Sequence, residues 1–141
     1  MITISGDGLS IADIVAVSRG APVRLSDDPV VNQRVEASQG RIETAVEAGE
    51  DIYGVTTLYG GMADQRVPHE RMVELQHIAL WHHKTATGPR LPTEDVRAAM
   101  LLRANSLMKG YSGVRLELIN RYVCRFPCGS DPGSGIISIE N

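Results

Sequence analysis

Apolar residues recur along most of this chain at three- and four-residue intervals, the spacing of helices with one face turned inward. The start is different. Ile2 and Ile4 alternate with polar residues, which predicts a short strand before a turn at Gly6–Gly8. Ser10 is then placed to cap a helix, with Asp13 three positions on in the capping-box pattern and Leu9 set to staple Ile14. Gly20 is the expected stop. Asp28 followed by Pro29 reads as a cap and first helical residue. Val31, Val35, Ser38, Ile42 and Ala45/Val46 carry that second helix to Gly49.

Residues 50–68 break the rhythm. They hold three glycines, Pro68 and a mixture of small and aromatic residues, the mark of a long loop. Such a loop in a compact domain is usually functional or disordered. Beyond it, Met72, Leu75, Ile78/Ala79 and Trp81 form the stripe of a helix over 69–86, stopped by Gly88-Pro89. Thr93 is the expected cap of the next helix, with Glu94 and Asp95 where the helix dipole favours acids. Its inward positions are Val96, Met100, Leu101, Ala104 and Leu107/Met108, and Gly110 closes it. Ser112 is the expected cap of a fifth helix carrying Leu116, Ile119 and Val123. The pattern therefore predicts a mainly α fold with a short N-terminal strand and a long Gly-rich loop. One domain is expected over 1–123, followed by a divergent or disordered tail over 124–141.

Composition narrows the class. The 141 residues suit one domain, and 43% hydrophobic against 22% charged is an ordinary globular balance. A net charge of −3 with no basic block argues against a nucleic-acid partner. No apolar run is long enough to span a membrane, and the first residues do not resemble a signal peptide. Cys124 and Cys128 make no secreted disulfide framework, so a cytoplasmic setting is expected. Their spacing is not a standard zinc pattern, and the four histidines do not complete one, so no metal is expected. Five helices could still serve binding, assembly or catalysis.

The segment Tyr53-Gly54-Val55-Thr56-Thr57-Leu58-Tyr59-Gly60-Gly61 carries the most information. On local features alone it is a Gly-rich turn anchored by two tyrosines. It also resembles the inner-loop motif of the histidine and phenylalanine ammonia-lyase family, Tyr-Gly-(Val/Ile/Leu)-(Asn/Thr)-Thr-Gly-(Phe/Tyr)-Gly. Two further blocks agree in order. Leu75-Gln76, His82-His83 and Gly88 resemble the family's Leu-Gln-x-Asn-Leu-x-x-Ser-His helix end. Arg103-Ala104-Asn105-Ser106-Leu107 and Gly110-Tyr111-Ser112-Gly113-Val114-Arg115 resemble its Arg-x-Asn-(Ser/Thr)-Leu block and the glycines after it.

The resemblance implies the amino-terminal helical portion of an aromatic amino-acid ammonia-lyase or aminomutase. Such enzymes expel or shift an α-amino group using a methylidene-imidazolone electrophile made from consecutive Ala-Ser-Gly. It implies Tyr53 as the base for the β-proton and Gly60 as the glycine closing the motif beside the substrate. His82 and His83 fall on positions that contact the substrate side chain. A free phenol titrates at about 10, so a tyrosine base needs donors or positive charge nearby. The family further implies an aromatic amino-acid substrate (phenylalanine, tyrosine or histidine) and a homotetramer. Without the resemblance, His82 and His83 are two partly exposed histidines at a helix end, and His69 and His77 are surface residues in either case.

Three features depart from the motif. Leu58 stands for its second glycine, Ile78 for its asparagine, and Lys84-Thr85 change the helix end. Ala-Ser-Gly is missing, and Gly133-Ser134-Gly135 reads as flexible tail. The chain is accordingly expected to be a piece of such an enzyme, inactive alone. The alternative is a non-catalytic helical interaction domain derived from the family.

Overall fold

The structure, a computed structural model, describes residues 1–84 and 87–126. Thr85, Cys128 and Gly133-Ser134-Gly135 lie outside the described residues. The described elements are β1 (Ile2–Ile4), α1 (Ile11–Ser18), β2 (Val23–Leu25), α2 (Pro29–Glu47), α3 (Met72–His82), α4 (Thr93–Leu107) and α5 (Leu116–Val123). Two short 3-10 turns, Gly60–Met62 and His69–Arg71, lie between α2 and α3. The fold is mainly helical. The chain forms two compact units, one from Met1–Gln39 and Arg90 onward, the other from Gly40–Pro89.

The first unit holds the principal core. Ile4, Val17, Val35, Leu101, Ala104, Leu107, Met108, Ile119, Val123 and Phe126 are buried together. α4 packs on α1 and on α5, and α5 also packs on β2. The sequence periodicity explains the choice of residues, since Leu101, Ala104 and Leu107/Met108 recur on one face of α4. β1 pairs with β2 in parallel, Ile2 opposite Val23 and Ile4 opposite Leu25, with α1 as the connection. The sequence pattern gives no sign of β2, because three residues are too few to register an alternation.

The caps are mixed. The Ser10 hydroxyl accepts the Asp13 N–H and the Asp13 carboxylate accepts the Ser10 N–H, a complete capping box. Asp28 accepts the Val30 N–H at 2.9 Å at the start of α2. Thr93 is not a cap. Pro92 occupies that position in an extended conformation and has no side-chain acceptor. Ser112 is likewise not the cap of α5, whose cap position is Arg115. The helix expected over 69–86 begins as a 3-10 turn and becomes α-helical only over Met72–His82. Trp81 does not join the apolar stripe: it is 63% exposed, with the Lys84 ammonium 4.9 Å from its ring centroid.

The block around Asn105 serves as scaffold. The Asn105 side-chain oxygen accepts the Gly6 N–H at 2.9 Å, while the Arg34 guanidinium donates to the Ser5 and Met108 carbonyls. A side chain at Gly110 would lie 2.7 Å from the Arg34 carbonyl oxygen, and the residue has a φ of +72°. Glycine is required there on both counts. The Gly113 N–H donates to the Ser38 hydroxyl at 3.1 Å.

Candidate functional site

Residues 50–67, within the loop expected over 50–68, form an ordered hairpin-like structure in the second unit. Thr56 organises its start. Its hydroxyl accepts the Ile52 N–H at 2.7 Å and donates to the Glu50 carbonyl at 2.9 Å. The Ile52 carbonyl in turn accepts the N–H groups of Val55 and Thr56, each at 3.0 Å. Thr56 and Thr57 are buried; these bonds, and that of the Thr57 hydroxyl to the Leu58 carbonyl at 3.1 Å, satisfy polar groups that would otherwise be costly. The chain then runs antiparallel to itself. Leu58 donates to the Gln65 carbonyl, Val67 donates to the Thr56 carbonyl, and Thr57 pairs with Arg66. An Arg66–Asp51 ion pair at 2.7 Å closes the base.

This frame presents Tyr53 outward, 64% exposed. The Gly60 N–H donates to the Tyr53 phenol oxygen at 3.0 Å. A bond donated toward that oxygen serves a phenolate as well as a phenol. The Tyr59 ring stands edge-on to Tyr53, centroids 6.1 Å apart and planes at 82°. Tyr59 also covers Gly54 so closely that a side chain there would meet its Cε1 at 2.6 Å. The Gly54 carbonyl accepts the Gln76 side-chain amide of α3 at 2.9 Å, and the Tyr59 hydroxyl reaches it at 3.4 Å. The motif's two tyrosines thus differ: Tyr53 offers its oxygen to solvent, while Tyr59 packs its ring on the backbone.

His82 is the last residue of α3 and His83 follows it; both are exposed. The His83 Nδ1 lies 2.7 Å from the Ala79 carbonyl, so that nitrogen carries the proton and Nε2 is left for another partner. Both histidines line a groove of about 500 Å³ with Leu58, Tyr59, Leu75 and Ile78. Arg71 and Glu74 line it too, paired at 2.9 Å. The hydrogen bond from Arg71 holds the Glu74 carboxyl below its ordinary value, and Glu74 raises the Arg71 guanidinium. Tyr53 is not among the groove's described lining residues. The structure therefore brings Gly60 to Tyr53, and His82 to His83, Leu58 and Ile78, as two separate arrangements in one unit. His69 and His77 are exposed. The sequence motifs contain Gln76 and Thr56 without disclosing their roles, because a lone amide or hydroxyl does not show which backbone group it meets.

Comparison with known proteins agrees with this geometry. The family profile described as aromatic amino acid lyase matches residues 9–126. The chain is 57% identical over 132 residues to an aromatic ammonia-lyase of Loktanella atrilutea, covering 93% of this chain and 24% of that protein. It is 45% identical to the phenylalanine ammonia-lyase of Nostoc punctiforme, covering 94% and 23%. Among solved structures, the tyrosine aminomutase of Streptomyces globisporus matches with a TM-score of 0.81 at 28% identity, over 89% of this chain and 24% of that one. The chain thus spans about a quarter of the length of the curated relatives it matches. Matched by the family profile from residue 9 to residue 126, the chain belongs to the aromatic amino acid lyase family.

Proposed function

We propose that this chain supplies the tyrosine-bearing loop of a carbon–nitrogen lyase or aminomutase acting on an aromatic amino acid. The observation that carries the reading is the Gly60 N–H donated to an exposed Tyr53 oxygen by a loop already folded around it. Tyr53 takes the β-proton beside the substrate's ring. Gly60 steadies the oxygen that receives it, and the hairpin frame keeps the two together without reorganisation during the reaction. His82 and His83 select the ring, since their groove joins apolar walls to an imidazole nitrogen able to bond a phenol or second imidazole.

The sequence contains no Ala-Ser-Gly, the triplet from which the family makes its methylidene-imidazolone group. The residues present do not fit that role, and this chain alone is expected to release no ammonia. The names of the relatives support an aromatic substrate, and the family supports assembly as a cytoplasmic homotetramer.

The test joins this segment to the remainder of a close full-length relative. Tyr53→Phe should lower turnover about 10²–10⁴-fold, the usual general-base contribution, with the fold intact. Tyr59→Phe should change little, because its hydroxyl makes only a 3.4 Å contact. His83→Leu should shift preference among aromatic rings. Equal, mild losses at Tyr53 and Tyr59 would reduce the loop to packing.

A further inference from the structure

We propose that Gln76 is the positioning residue of the tyrosine loop, latching it to α3 through the Gly54 carbonyl. The inference rests on the catalytic reading of Tyr53 for its consequence in turnover, but not for its structural content. Gly54 is the residue directly after Tyr53, so a bond to its carbonyl holds the corner from which Tyr53 projects. Gly54 itself has a φ of +71°, a conformation open to it because no side chain lies beneath the Tyr59 ring.

Gln76 meets it at 2.9 Å, across 22 residues of chain. The other donor, the Tyr59 hydroxyl, is at the outer limit of hydrogen bonding and belongs to the loop itself. Gln76 is therefore the donor that ties the turn to a helix rather than to itself. The frame around Thr56 fixes the loop's base and the Gly60 contact fixes its tip, whereas Gln76 fixes the Tyr53–Gly54 corner between them. Its neighbour on α3, Leu75, is buried and anchors the helix that presents it. Glutamine suits the task because its amide offers a neutral donor four bonds from Cα.

The test follows hydrogen exchange of the whole chain by mass spectrometry, comparing the 52–62 segment with α3 and α4. Gln76→Leu removes the donor, and Gln76→Glu replaces it with an acceptor of the same shape. Each should speed exchange in the loop about three- to tenfold, the scale of one lost hydrogen bond, and leave α4 unchanged. Gln76→Arg restores protection, because its Nε–H donor also sits four bonds from Cα. A side chain that merely supported the helix would not be rescued in this way. Loop exchange within twofold of the parent in both loss variants overturns the latch, as does equal acceleration in α3, or failure of the arginine to rescue. In the joined enzyme, Gln76→Leu should lower kcat several-fold with little change in KM, and Gln76→Arg should recover it. Unchanged turnover in Tyr53→Phe there, with the exchange pattern as expected, would refute the catalytic role of Tyr53 alone and leave the latch standing.

Discussion

Replacing Gly54 by alanine puts two separate demands on the tyrosine loop. The backbone φ of +71° lies in the left-handed region, which costs an L-residue about 1 kcal/mol. The new methyl would also lie 2.6 Å from the Tyr59 Cε1 and 3.1 Å from its Cδ1, so the ring must swing away. That movement breaks the edge-to-face contact with Tyr53, about 0.5–1.5 kcal/mol. Together these amount to about 2 kcal/mol, or about a 30-fold rise in the open form of the loop. Trypsin reads that population after Arg66, whose neighbour Val67 is bonded to the Thr56 carbonyl and so is cut only when the hairpin opens. Cleavage after Arg103, inside α4, serves as the reference and should not change. In a Tyr59→Ala background the same substitution loses its steric part, leaving about a fivefold effect from backbone strain alone. An acceleration below about threefold at Arg66, or equal acceleration at Arg103, would refute the packing described for Gly54.

Two stability predictions concern the first unit. Leu101→Ala, at a fully buried position of α4, should cost about 2–5 kcal/mol in urea unfolding, through lost burial and the cavity left behind. Ser10→Ala should cost about 1 kcal/mol by removing the cap of α1. The Ser10 hydrogen bonds also hold the Asp13 carboxyl below its ordinary value of 3.8. A depressed carboxyl stabilises fully above the unfolded value and loses that contribution as pH falls through the folded one. The parent's thermal midpoint should therefore drop more steeply than that of Ser10→Ala on acidification below pH about 4, and parallel profiles would remove Ser10 as the cause.

What could be read in sequence was what repeats. The helices, the Ser10 capping box and the stops at Gly20, Gly49 and Gly110 follow from local spacing and cap chemistry, and they recur in the structure. The misread caps at Thr93 and Ser112 share one cause: each residue type suits a cap, but the chain nearby places Pro92 and Arg115 in that position. Trp81 was misplaced because an apolar ring on a helix says nothing of what faces it. Tyr53 and Gly60 stood out through their motif, yet the bond between them depends on a fold-back that no seven-residue spacing specifies. Gln76 was invisible as a partner of Gly54 for the same reason.

The division of the chain has a consequence for the order of events during synthesis. The principal core unites Ile4, Val17 and Val35 with residues that leave the ribosome much later, from Leu101 to Phe126. The hairpin around Tyr53 needs nothing so distant, for its Thr56, Arg66 and Gln76 partners all lie between Gly40 and Pro89. Short-range closures form fast, whereas closing a long loop is slow and leaves apolar faces exposed in the interval. The nascent chain should thus acquire its tyrosine loop while α1 and β1 still await α4. During that wait the strand edge of β1 and the apolar face of α1 are the surfaces open to a chaperone or to association.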